Sequence, residues 1–334
     1  MKRNTRKWSV WIGLFLFLLI TASSAWLFWS PGKAIADGRH DLKTNGIWIQ
    51  HGWLGDDGWF TRTRKDPALF RDIEKIRNLK ALLLDHHITD LYPHLCPATP
   101  RGMIPGVDPK QTELFLSVMK GFRVMPWVGG VLGKQVFPES PSWRRNFIGS
   151  IQNMLRTYPG LAGVHLNIEP LPSGNQDLLT LLIELRRSLP TGKILSMAAY
   201  PPPTLWHPYS EVHWKRPYFE EVAWQVDQMV VMMYDTAIPF EKIYRYLMAS
   251  WTKEILSWAG KTKVLLGAPA YEDAGVGYHD PKVENLKNAL MGIHAALKSF
   301  PALPKNYQGI AIYCEWEMNE FKWSYLRKNF LRIE

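Results

Sequence analysis

Cysteine is scarce in this chain of 334 residues: Cys96 and Cys314 are the only two. They lack metal-ligand spacing, which removes thiolate metal sites from consideration. They fall near the ends of the second and eighth expected strands, which are not neighbours, so they are expected to be free and buried rather than bridged. The ten histidines form no His-x-His or His-x-x-x-His pair with a placed carboxylate, so neither a catalytic metal nor a cofactor is expected. His86-His87 read more simply as groups capping a helix C-terminus. No arginine-rich block or basic-aromatic ladder is present, which argues against nucleic acid as a partner. No glycine-rich phosphate turn follows the first expected strand, which makes an open doubly wound sheet the weaker architecture.

What the chain has in quantity is apolar and aromatic. Hydrophobic residues make up 46%, aromatics 13%, and there are 16 tryptophans. That is enough for one large domain or two small ones. Some of the rings must be core, and a surplus of this size also suits a groove that stacks flat, weakly polar ligands such as sugar rings. The formal charge is +10. With Lys2, Arg3, Arg6 and Lys7 set aside, 36 basic residues face 30 acidic ones, a mild surplus compatible with an anionic envelope polymer, a membrane face or an ordinary solvated surface.

Those four cations precede an apolar run from Trp8 to Trp29. Its 22 residues can cross a bilayer as a helix, and the flanking charge places the N-terminus in the cytoplasm and the rest outside. Ser23-Ser24-Ala25 and Ala34-Ile35-Ala36 offer cleavage sites, so a signal peptide competes with an uncleaved anchor. The length of the run favours the anchor. Residues 1–29 are therefore read as anchor or signal, 30–43 as a linker, and 44–334 as the working domain.

From residue 44 onward, strand and helix patterns alternate. Strands are expected at 46–50, 88–95, 122–128, 161–169, 193–200, 228–235, 263–270 and 308–314. Helices are expected at 67–86, after the prolines of 97–109 as far as 120, and at 142–157, 175–188, 218–225, 240–259, 282–299 and 317–330. Eight such units imply a closed (β/α)8 barrel with its active face at the C-terminal ends of the strands. The loops after strands one, two and five are long. They place Trp53, Trp59, Tyr92, Trp206, His207 and Trp214 where a ligand would pass.

The fourth expected strand ends Gly163-Val164-His165-Leu166-Asn167-Ile168-Glu169-Pro170. Alternation puts Val164, Leu166 and Ile168 on one face and His165, Asn167 and Glu169 on the other. A core strand does not accept three buried polar groups without partners. The run is either a solvent-facing edge or an active-site strand with a carboxyl at its tip.

Taken with three further motifs, this strand resembles glycoside hydrolase family 18, the chitinase-like enzymes. The family's Asp-x-x-Asp-x-Asp-x-Glu signature falls on Ala162, His165, Asn167 and Glu169. Its Met-x-Tyr-Asp element matches Met232-Met233-Tyr234-Asp235, with Gln228 also in place. Its Gly-Gly matches Gly129-Gly130, just after Trp127, and its Gly-x-Pro-x-Tyr matches Gly267-Ala268-Pro269-Ala270-Tyr271. Three signature aspartates are replaced, by Ala162, His165 and Asn167, and the strand-eight tryptophan falls on Tyr313, with Trp316 just beyond.

The resemblance implies hydrolysis assisted by the substrate's own 2-acetamido group. Glu169 would be the acid, Asn167 would hold the acetamido group, and Tyr234 would donate to its oxygen. Asp235, Trp127, Tyr271, Tyr313 and Trp316 would contact the glycan. His165 has no family counterpart; it is placed among the substrate contacts, and reads as a hydrogen-bonded structural substitute rather than a catalytic group. The Asn-x-Glu pairing is similar to that of family 85 endo-N-acetylglucosaminidases. The loop from Tyr271 to Pro281 is too short for the small domain many members insert there, which implies an open groove and a polymeric N-acetylglucosamine-containing substrate, chitin-like or peptidoglycan. Two other readings are open: an inactive glycan-binding barrel, and a retaining glycosidase in which Glu169 pairs with Glu272.

Overall fold

The computed structural model describes residues 2–205, 207–273 and 278–332, and within the first helix the side chains of Trp8 and of residues from Trp11 on. Nine strands form one sheet: β1 Asn45–Ile49, β2 Ile88–Pro93, β3 Arg123–Val124, β4 Trp127–Val131, β5 Gly163–Glu169, β6 Ile194–Ala199, β7 Gln228–Val231, β8 Lys263–Pro269 and β9 Tyr307–Tyr313. The helices are α1 Lys2–Phe28, α2 Asp57–Thr63, α3 Ala68–Arg71, α4 Ile73–Asp85, α5 Pro109–Val118, α6 Pro141–Thr157, α7 Gln176–Ser188, α8 Arg216–Gln225, α9 Glu241–Trp258, α10 Leu286–Leu297 and α11 Glu320–Asn329.

All pairings between the strands are parallel, in the order β3-β2-β1-β9-β8-β7-β6-β5-β4. β3 and β4 are two halves of the third expected strand, parted at Met125-Pro126. On one side this strand receives Leu95 N at Trp127 O and Ala98 N at Gly129 O. On the other, its Val124 and Pro126 carbonyls receive Ala162 N and His165 N. The sheet is thereby closed into the (β/α)8 barrel, and β5 is flanked on both edges, so the solvent-facing edge reading of that strand does not hold.

Helix starts follow from local chemistry. Asp108-Pro109 and Ser140-Pro141 each put an oxygen acceptor at the N-cap and proline in the first turn, where its missing N–H costs nothing. Asn175, Asn285 and Asn319 cap α7, α10 and α11 in the same way. The single helix expected over 67–86 is two, because extended Asp72 interrupts it and caps α4. His86 closes α4, its N–H reaching back to Leu83 O and the next N–H, of His87, to Leu84 O.

Side chains pointing outward from the strands pack under the helices, and those pointing inward fill the barrel in layers. At its base Arg123 makes a two-pronged ion pair with buried Asp90 (2.6 and 2.9 Å). Asp90 accepts from Gln228 at 2.6 Å and Gln308 at 2.9 Å. Above them Gln228 Oε1 accepts from Tyr92 and Ser196 (2.8 and 2.7 Å). His165 lies higher still, 2.8 Å from the Ser196 hydroxyl, with Trp48 donating to its Nε2 at 3.2 Å.

Several loop aromatics placed on a ligand path are packing groups instead. Trp53, Trp59, Tyr92 and Trp214 are buried. Trp53 and Trp59 meet Phe70 edge-on, Trp214 donates to Leu171 O, and His207 is buried against His213. Trp206 lies outside the described residues.

α1 is long and apolar enough over Trp11–Phe28 to cross a membrane, and that stretch is not buried in the protein. Its C-terminal end meets α9: Lys242 Nζ takes the carbonyls of Trp26 and Leu27 at 2.6 and 3.2 Å, and Trp26 and Trp29 pack on Phe240 and Tyr246. Residues 30–43 then run down the barrel wall. A Cβ on Gly32 would stand 2.5 Å from Met291 O, and His40 and His294 bring their Nδ1 atoms to 2.7 Å.

Close packing also fixes the Gly129-Gly130 pair. Gly129 has φ +140°, and a Cβ there would lie 1.8 Å from Asn167 O on the neighbouring strand. The glycine lets β4 approach β5 where the polar side chains begin. Gly129→Ala is expected to lower stability by at least about 2 kcal/mol, measured by thermal denaturation. A midpoint matching the wild type would show that the strands part without cost.

Candidate active site

Glu169 ends β5 at the C-terminal mouth of the barrel. Asn167, two residues back on the same face, donates from Nδ2 to Glu169 Oε1 at 2.6 Å. The Tyr200 hydroxyl, at the end of β6, donates to Oε2 at 3.3 Å. Burial lifts the Glu169 pKa above its ordinary 4.5, and these two donors, which favour the carboxylate, offset only part of the rise. Burial thus favours the protonated carboxyl, while the two donors would steady a carboxylate.

Asn167 itself is buried, and its Oδ1 has no hydrogen-bond partner among the described residues. An unmatched buried amide oxygen costs about 1–3 kcal/mol. It stands beside the Glu169 carboxyl, where a ligand N–H would satisfy it.

Tyr234 lies just past β7, which ends at Val231 rather than at Asp235, because Asp235 and Ala237 take left-handed backbone angles (φ 62° and 54°). Its ring stacks on Tyr313 (5.4 Å, 18°) and meets Tyr271 edge-on. Tyr313 in turn touches Trp127 and Trp316. The charge of Glu169 is felt at Tyr200, Tyr234, Tyr313 and Asp235, so the ends of three other strands, β6, β7 and β9, converge on it. Burial raises the pKa of all these phenols, which keeps them as donors. Asp235 is lifted to about 6 by burial, with the Glu284 and Glu169 charges adding to the rise, while the Tyr271 hydroxyl and the His279 side chain oppose it.

His165 sits beneath this group rather than in it. It is fully buried, and burial pushes its pKa down to about 3. Trp48 can only donate, so His165 Nε2 accepts and Nδ1 carries the proton toward Ser196. His165 is thus a neutral structural link with no open face for a ligand, which corrects its placement among substrate contacts. Glu272 does not join Glu169 either. It is 61% exposed and ion-paired with Lys322 at 2.6 Å, and it is not among the groups that shift Glu169. The paired-carboxylate geometry is not formed. Cys96 and Cys314 are both buried and unpaired.

The profile of glycosyl hydrolases family 18 matches residues 111–325. The chain belongs to glycosyl hydrolase family 18. Solved structures agree in fold. The spore cortex-lytic enzyme SleL of Bacillus cereus is 14% identical over 86% of this chain and 74% of its own, with a TM-score of 0.55. A chitinase of Chromobacterium violaceum is 14% identical over 85% of this chain and 98% of its own, with a TM-score of 0.54. A fungal endo-β-N-acetylglucosaminidase is 14% identical over 87% of this chain and 99% of its own, with a TM-score of 0.55. No curated protein sequence matches.

Tyr200 is the member of this family 18 site that the sequence did not single out. Its signal was its position at a strand tip before Pro201-Pro202-Pro203; what it touches depends on how β6 lies against β5. The Asn167–Glu169 contact can be probed without substrate. Asn167→Asp sets a second carboxyl where an amide now stands 2.6 Å from Glu169, and two such groups share one proton. The folded variant then holds a proton that the unfolded chain releases above about pH 4. Its stability relative to wild type should therefore fall as pH rises, on the order of 3 kcal/mol between pH 5 and pH 8. Thermal melts at both pH values measure this, and a pH-independent difference would refute it.

Proposed function

We propose that this protein is a glycosidase acting on an N-acetylglucosamine-containing glycan, chitin-like or peptidoglycan, through the substrate's own acetamido group. The observation that carries the reading is the acid held by Asn167 Nδ2 while Asn167 Oδ1 stands unmatched beside it. In the first step the Glu169 proton passes to the glycosidic oxygen as the bond to the anomeric carbon breaks. The acetamido carbonyl oxygen closes on that carbon, giving an oxazolinium ion. Asn167 Oδ1 accepts the acetamido N–H, and the Tyr234 hydroxyl donates to its oxygen. In the second step the Glu169 carboxylate removes a proton from water, which attacks the anomeric carbon and reopens the ring. Asp235, Trp127, Tyr271, Tyr313 and Trp316 would line the sugar's path, with Tyr313 as the floor.

Asparagine at 167 adds no negative charge to face the cationic intermediate, so this site would depend more on neutral dipoles than a carboxylate site does. Residues 1–29 would serve as an anchor and 44–334 as the catalytic barrel, held outside the cytoplasm beside the envelope polymer. Family membership, the likeness of fold to a cortex-lytic enzyme and to chitinases, and the exposed apolar helix support this placement.

Glu169→Gln should cut kcat by roughly 10²–10⁴, and Tyr234→Phe by roughly 10², assayed as reducing ends released from chitooligosaccharides and peptidoglycan by the full chain in detergent. Wild type that binds these glycans as tightly as Glu169→Gln but releases nothing would instead identify a glycan-binding barrel.

The acid must be protonated, so kcat/KM should decline as pH rises through the Glu169 pKa. Tyr200→Phe removes a donor to the carboxylate, so the acid should keep its proton to higher pH and the alkaline limb should move upward. A pH–rate profile with an unmoved or lowered limb would count against Glu169 as the acid.

A further inference from the structure

At the end of β7, three side chains from three separate segments converge. Asp235 lies in the turn after β7, His279 in the loop after β8, and Glu284 just before α10. Each offers an atom within 4.8 Å of the other two. His279 Nδ1 is 3.6 Å from Asp235 Oδ1 and 3.7 Å from Glu284 Oε2. His279 Nε2 lies 3.2 Å from the Tyr271 carbonyl, and a carbonyl only accepts, so Nε2 carries a hydrogen and Nδ1 faces the two carboxylates, offering a lone pair to a cation or holding a second hydrogen as imidazolium. The His279 side chain is fully buried, and Nδ1 has no hydrogen-bond partner among the described residues. A lone pair aimed at two carboxylates is repulsive unless positive charge sits between them.

The other two groups are oriented as ligands are. Glu284 Oε1 accepts from the Thr236 backbone N–H and hydroxyl at 2.9 and 2.8 Å, while Oε2 shares that N–H at 3.2 Å and also faces His279. The Tyr271 hydroxyl holds Asp235. Outer hydrogen bonds of this kind fix the ligands of metal sites.

We propose that Asp235, His279 and Glu284 bind a divalent transition-metal ion of the Zn²⁺ or Mn²⁺ class. One imidazole nitrogen with two carboxylate oxygens suits these ions better than Ca²⁺ or Mg²⁺, which take oxygen alone. Bonds of about 2.0–2.2 Å at tetrahedral angles set ligand atoms about 3.4 Å apart, so the 3.6 and 3.7 Å edges need only a small contraction. Asp235 is 37% exposed, which provides an entry path and an open coordination position. The ion ties the end of β7 to the start of α10 and steadies the backbone next to Tyr234. It is a positioning device and does not depend on the glycosidase reading.

The test uses the full chain in detergent, stripped with chelator, dialysed separately against Zn²⁺, Mn²⁺ or Ca²⁺, desalted, and assayed for metal by mass spectrometry and for thermal midpoint. One equivalent of Zn²⁺ or Mn²⁺ per chain is expected, with a midpoint rise of about 5 °C, both lost in Glu284→Gln and His279→Ala. The near-isosteric Glu284→Gln decides the matter if His279→Ala does not fold. Wild type retaining no metal would overturn the proposal and leave a proton on Nδ1 as the positive charge. Full retention by both variants, or retention of Ca²⁺ alone, would overturn it as well.

Discussion

A chain of hydrogen bonds along the inside of the barrel governs what the strand tips can carry. It begins at the base with the Arg123–Asp90 ion pair, rises through Gln228 and Ser196, and ends where His165 meets Trp48. Its direction is not free. The indole of Trp48 can only donate, so His165 must accept at Nε2 and donate at Nδ1. The Ser196 hydroxyl accepts that proton and gives its own to Gln228 Oε1. The Gln228 amide then donates to Asp90, whose charge Arg123 balances. Each buried group is matched by the next, and a second proton on His165 would find only the Trp48 N–H facing it.

That constraint accounts for the departure from the family signature at position 165. A carboxylate at position 165 would be a pure acceptor, drawing in both the Trp48 N–H and the Ser196 hydroxyl. Ser196 would then have no hydrogen left for Gln228. Histidine reverses that one bond and keeps the column neutral above Asp90. With no charge at 165 and an amide at 167, the column carries no anion between Glu169 and Asp90 at its base. Its raised pKa comes from burial, with Asn167 and Tyr200 opposing it. A carboxylate neighbour would achieve the same rise by repulsion. Here the same end is reached by desolvation, and in the proposed reaction the two nearby donors would receive the charge.

Much of this was legible in the sequence because it depends on period and order. Alternation along 163–169 put His165, Asn167 and Glu169 on one face, and eight strand–helix units sent that face to the barrel interior. What escaped depends on contacts between segments. Tyr200 reaches Glu169 only through the lie of β6 against β5. Asp235, His279 and Glu284 come from three segments with no shared motif. The loop tryptophans misled because exposure was inferred from loop position. Trp53 and Trp59 instead build a small core with Phe70, one that anchors the long loop after β1.

The path of the N-terminal segment bears on how the barrel meets its substrate. α9 starts just after β7, so its first turn lies at the active-face rim. There Lys242 and Phe240 receive the end of α1. Residues 30–43 then travel to the opposite end before β1 begins, held by Met291 and His294 of α10 on the way. A tether that simply led into β1 would leave from the base and point the active face away from its attachment. Because this segment doubles back along the wall, the proposed anchor joins the barrel at the rim that carries Glu169. A polymer lying close to the membrane would then be within reach of the site, whereas one held far above it would not.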